Sequence, residues 1–251
     1  MFKKPKILPT VKLKHLELIA QEEVDYAQSM TEISGYKNSW WRKKSKFLKA
    51  FAANFALVKQ VRDIDIMNLE WSEDCKINKP ASIDFICFQA MMELQAILGA
   101  EVEHNVQDRI AKVIAVSTFE VNNKVDYISE GEPFDKYLNK VLNQDLIHMM
   151  GLFNWIVDAV QESSKTWDER FLSVHLDDED YERASGDRMA QFNVINTIKS
   201  ICSEFNVPFK EAWLMSYNLV QTNSYNNATA AKIQDDVRIL KEIKLKAQKN
   251  N

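Results

Sequence analysis

The chain reads as mainly α-helical: a multi-helix bundle with an extended N-terminal arm and a short strand pair near residues 62–80. Three observations predict this. Apolar residues recur at three- and four-residue steps through most of the 251 residues. Glycine and proline number only five each, too few for an all-β chain with a turn every few residues. With 46% hydrophobic and 27% charged residues, the composition is that of a folded chain rather than a disordered one.

The first twelve residues carry Lys3, Lys4, Pro5, Lys6 and Pro9. Proline supplies no backbone donor and disfavours helix in the residue before it, so an extended arm is expected. A first helix follows over residues 14–30, with Leu16, Ile19, Ala20, Val24 and Ala27 on one face. In residues 35–46, GYKNSWWRKKSK, Trp40 and Trp41 abut Arg42, Lys43, Lys44 and Lys46. These six are the partner-binding candidates. Indoles beside cations suit a protein interface, where Trp and Arg are enriched. They also suit nucleic acid, through stacking and phosphate contacts, or a lipid surface. A loop with one Trp plugging the core and solvated lysines fits the same residues. A second helix, 47–61, carries Phe47, Leu48, Phe51, Phe55 and Val58.

In residues 62–80, Ile64 and Ile66 alternate with polar residues, the pattern of a short strand or an extended connection. Helices resume at Ser82, read as a cap with Asp84 in the first turn. Phe85, Phe88, Met91, Met92, Leu94 and Ile97 make its apolar face, and Gly99 ends it. Further helices are expected over 106–119 and 134–142, with Gly131 and Pro133 as breakers between them. Residues 145–160, DLIHMMGLFNWIVDAV, predict a central buried helix that is too short and polar to cross a bilayer.

An acidic stretch comes next, with Asp168, Glu169, Asp177, Asp178, Glu179, Asp180 and Glu182 around His175. Residues 187–222 then read as two amphipathic helices meeting at Asn206, Val207 and Pro208. The first shows Met189, Phe192, Ile195, Ile198, Ile201 and Phe205; the second shows Phe209, Trp213, Leu214, Tyr217 and Val220. The polar residues Asn223, Ser224, Tyr225, Asn226 and Asn227 read as the connection out of this hairpin. Residues 228–249 place Ile233, Val237, Leu240 and Ile243 (or Lys244) at near-heptad spacing, a terminal helix packed on the body or on a neighbour.

The expected organisation is a basic arm and helices over 1–62, a connection over 63–81, and a helical body over 82–251. Charge follows the same division. Residues 1–62 hold 13 Lys and Arg against 5 Asp and Glu, and the rest of the chain 19 against 31. Opposite poles invite head-to-tail contact between copies, contact with a charged neighbour, or contact within one fold.

Signatures of catalysis and metal binding are absent from the sequence. There is no Gly-x-Gly-x-x-Gly, no Walker A loop, no Gly-x-Ser-x-Gly elbow and no His-Glu-x-x-His. None of His15, His104, His148 and His175 pairs with another at helical zinc spacing. The acidic stretch lacks the glycine of an EF-hand loop and reads as a solvated loop or helix start. Cys75, Cys87 and Cys202 are widely spaced and read as reduced thiols. No export signal and no membrane span is read. A nonenzymatic chain without cofactor or metal is the expectation.

Residues 195–222, INTIKSICSEFNVPFKEAWLMSYNLVQT, resemble a helical module of tailed-bacteriophage tail assembly and neck (head-to-tail connector) proteins. The matching positions are Phe205, Pro208, Glu211, Met215, Ser216, Tyr217 and Val220. The basic, Trp-bearing segment has no counterpart in that pattern. The resemblance implies a virion structural or assembly protein, located in the virion or the host cytoplasm. It would work through contacts with other tail or neck proteins and form a homo-oligomer. The rival reading is a nucleic-acid-associated module that uses the basic aromatic segment.

Overall fold

The computed structural model describes residues 12–15, 69–100, 106–174 and 193–249. Of these, 77% are helical, and no strand occurs among them. Seven α-helices follow in order: α1 Phe88–Gly99, α2 Val106–Asn123, α3 Glu132–Leu142, α4 Leu146–Leu172, α5 Asn193–Phe205, α6 Phe209–Trp213 and α7 Tyr217–Lys249. Short 3-10 turns lie at Leu13–His15 and Ile83–Phe85. The mainly helical class read from the sequence is what the described residues show.

The chain divides into two compact units, one taking Glu93–Asp158 with the chain up to Pro80, the other Ala81–Met92 with Ala159–Asn251. In the first unit α2 packs on α3, and the Leu13–His15 turn contacts both. Leu13 itself is fully buried. From Ile110 to Phe119 every residue of α2 except Lys112 is buried, so the middle of this helix is interior on nearly every side while its ends reach the surface. Its polar members are satisfied locally. The Thr118 hydroxyl donates to the Ile114 carbonyl at 2.5 Å, and its oxygen lies 2.9 Å from the Tyr137 hydroxyl. Either hydroxyl can donate in that pair. Desolvation pushes the Tyr137 phenol up to about 12, against the opposing pull of the Thr118 hydrogen bond.

The strand expected near residues 62–80 does not form over 69–80; residues 62–68 lie outside the described part. Side chains satisfy this backbone in place of a ladder. The Asn78 N–H donates to Asn122 Oδ1 at 3.0 Å, and Asn122 Nδ2 donates back to the Asn78 carbonyl at 2.8 Å. Asn154 on α4 donates to the Leu69 carbonyl at 3.0 Å. One turn below, Gly151 lets the chain approach α4: a Cβ there would overlap the Glu70 carbonyl.

α3 begins at Glu132, with Gly131 at φ 97° as its cap and Pro133 in the first turn. Pro133 therefore starts this helix instead of separating it from its neighbour, as a residue with no donor to lose can. Asp145 caps α4 by accepting from the Ile147 and His148 N–H groups at 3.0 and 3.4 Å. That helix runs to Leu172, twelve residues past the expected end, so Asp168 and Glu169 sit on its last turns and not in a loop.

In the second unit Ser82 caps only the 3-10 turn, and Phe85 is exposed, not part of the α1 face. The chain then extends through Ile86 and Cys87 before α1 starts. Here it forms a two-bond clip with the segment before α7. The Phe88 N–H donates to the Met215 carbonyl at 2.7 Å, and the Tyr217 N–H donates to the Ile86 carbonyl at 2.9 Å. Phe88 lies against Trp213 and Tyr217, with centroids 5.6 and 6.2 Å away. Below it, the Ser163 hydroxyl donates to Asp84 at 2.5 Å.

The hairpin of residues 187–222 forms differently from its periodicity. Asn206, at φ 52°, ends α5 with a bond from the Val207 N–H to the Cys202 carbonyl, as expected of that corner. The second helix, however, stops at Trp213 and restarts at Tyr217. Ser216 accepts from the Leu219 N–H at 3.4 Å, the geometry of an N-cap. Residues 223–227 are not a connection. They lie inside α7, with Asn223 buried. Of the first helix's expected face, Ile198 and Ile201 are buried while Ile195 and Phe205 are exposed; Met189 and Phe192 lie outside the described residues.

Candidate interaction surface

Trp40, Trp41, Arg42, Lys43, Lys44 and Lys46 all lie outside the described residues, as do residues 16–30 of the helix read over 14–30, the helix read over 47–61 and the acidic residues 177–182. Of the histidines, His104 and His175 also lie outside, while His148 is half-buried on α4. Among the described residues no group of three His, Cys, Asp or Glu side chains could hold a metal ion. No helix among them is long and apolar enough to cross a membrane.

One cluster joins residues far apart in sequence. The Lys79 ammonium lies 4.3 Å from the Trp71 ring centroid and 4.4 Å from that of Trp155. Two indole faces on one cation stabilise it electrostatically and hold the 69–80 segment against α4. No pattern in the sequence marks it, because the second ring comes from another element.

The most distinctive surface is the distal part of α7. This 33-residue helix begins inside its unit, with Tyr217, Val220 and Asn223 buried. Tyr225 meets Phe171 edge-on at 6.0 Å, and Asn227 donates to the Ser200 hydroxyl of α5 at 3.3 Å. Lys232 donates to the Ser173 carbonyl at 3.1 Å. Beyond it, every residue from 236 to 248 is exposed. Ile233, Leu240 and Ile243 are 57%, 57% and 56% exposed, values usual for surface lysines but not for isoleucine and leucine.

These residues share a face. At about 100° per residue, Ile233, Val237, Leu240 and Ala247 fall along one line, with Ile243 beside it and Ile239 well off it. Leu245 points elsewhere. Charge is uneven along the same stretch. Asp235 and Asp236 lie at its start, and Lys241, Lys244, Lys246 and Lys249 toward its end. Arg238 pairs with Asp235 at 2.5 Å, an exposed pair worth only a few tenths of a kcal/mol. The sequence reading recognised the stripe but separated it from the hairpin, and so missed that one rigid rod carries both the anchored and the exposed part.

No family model matches this sequence, and no curated protein or solved structure matches it either.

Proposed function

We propose that this chain is a nonenzymatic structural or assembly protein of a tailed-phage tail or neck, acting through contacts with other proteins and with itself. The observation that carries the reading is the distal part of α7: an apolar face, presented to solvent on a helix whose base is anchored. Such a face costs solubility and contributes nothing to the chain's own core, which suits a segment covered by a partner. Of the residues of the tail and neck resemblance, Met215 and Ser216 immediately precede this helix and Tyr217 begins it, while Pro208 and Glu211 belong to the start of α6 before it. Met215 and Ser216 supply the backbone clip and the cap that anchor it.

The reading is tested in an infection in which the coding sequence is interrupted. Heads and tails accumulate unjoined or incomplete, and supplying the chain restores particles. Normal virions at unchanged yield would sink it.

A further inference from the structure

We infer that the distal face of α7 is a self-association site, on which the same segment of a second copy packs as an antiparallel helix pair. This deepens the reading of the chain as one that works by protein contacts, and rests on it. The occupant follows from shape and charge together. The face is straight and helical, with Ile233, Val237 and Leu240 at the alternating four- and three-residue steps that seat one helix against another. Charge along it is uneven: Asp236 borders the face at one end and Lys244 at the other, while Asp235, paired with Arg238, and Lys246 lie on the opposite side of the helix. Antiparallel packing centred near Leu240 brings each acidic end to the basic end of the partner. Parallel packing sets acid on acid and lysine on lysine.

Lys244 lies within the apolar face, between the lines of Val237 and Leu240. Its stem covers apolar surface while its ammonium reaches the partner's acidic end. A membrane surface would be a poorer occupant, because Asp236 flanks the same apolar line on its other side. The contact runs about 25 Å at ~1.5 Å per residue and is one helix wide. That is at the small end of specific interfaces, so the pair is expected to be reversible and to separate on dilution.

The experiment is sedimentation velocity on the full chain over roughly two decades of concentration. The wild-type mass is expected to rise toward twice that of one chain. Leu240→Glu with Ile243→Glu weakens the association by at least roughly tenfold. Asp236→Lys weakens it, and adding Lys244→Glu to that variant restores it, as only unlike ends in register can.

A wild-type chain that stays monomeric overturns the inference and leaves an assembly role through other partners standing. An oligomer that survives Leu240→Glu with Ile243→Glu overturns this face as the site. A lowered denaturation midpoint of that variant, measured at a dilution where the wild type is also monomeric, means another segment of the same chain covers the stripe, and also overturns the inference. Normal virions lacking the chain, beside an intact dimer, would instead sink the assembly role alone.

Discussion

α4 and the distal part of α7 are alike in sequence and opposite in circumstance. Each carries branched apolar residues at helical spacing. On α4, Leu146, Met149, Leu152 and Ile156 are at most 1% exposed; on α7, Ile233, Val237, Leu240 and Ile243 range from 44% to 57%. What separates them is the means of receiving a neighbour. α4 has Gly151, where another chain segment touches its backbone, and Asn154, which bonds that segment's carbonyl. The end of α7 has no glycine opening its backbone in this way. Its apolar face is flanked by carboxylates and ammonium groups instead. Periodicity locates an apolar stripe, and the residues between the stripe positions tell whether it is built to be covered from within.

The largest expected effect breaks the comparison directly. Leu152→Ala removes a fully buried side chain and costs about 2–5 kcal/mol of stability. Leu240→Ala removes an exposed one and shifts the stability of the monomer by no more than about 0.5 kcal/mol. Urea denaturation of both at low protein concentration checks this, and similar losses in the two would erase the distinction.

A second effect belongs to the buried side alone. The Tyr137 phenol is held up to about 12, from an ordinary 10.0, chiefly by burial. Between those values the unfolded chain has released its proton while the folded chain retains it. Stability therefore falls as pH rises through that window, and the contribution is intact below pH 10. Two units correspond to about 2–3 kcal/mol at the upper end. Burial likewise raises the Cys75 thiol from its ordinary 9.0, so its contribution has the same sign and starts lower. Denaturation midpoints followed from pH 8 upward are expected to decline in the wild type. They should decline less steeply in Tyr137→Phe, and equal slopes would contradict the burial of that hydroxyl.

The smallest effect sharpens the account of where the exposed helix begins. Ser216→Ala removes the cap of α7 and is expected to cost about 1 kcal/mol. In an uninterrupted helix over 209–222 the same change would be neutral or slightly stabilising, since alanine is the better interior residue. The sign of the shift in thermal midpoint therefore decides between a capped start and a continuous helix.

Much of the helical layout is determined by the sequence alone, because its signals are local. Asn206 and Gly131 tolerate positive φ, Pro133 has no N–H to lose at a helix start, and Asp145 accepts from the turn that follows it. Each constraint acts within four or five residues, whatever the rest of the chain does. Helix lengths past those points were not legible. α4 continues through charged residues to Leu172, and α7 through Asn223 and Asn227, because packing on one face outweighs weak propensity.

Only the tertiary structure decided the remaining features. The break at Met215 and Ser216 exists because Ile86 and Phe88 supply hydrogen-bond partners across the sequence. The 69–80 segment stays irregular because Asn122 and Asn154 satisfy its backbone. The cation sandwich at Lys79 needs two rings from different elements. Which apolar stripe is covered is the same kind of fact. Burial is a property of what lies opposite a residue, and no residue specifies that by its own position in the chain.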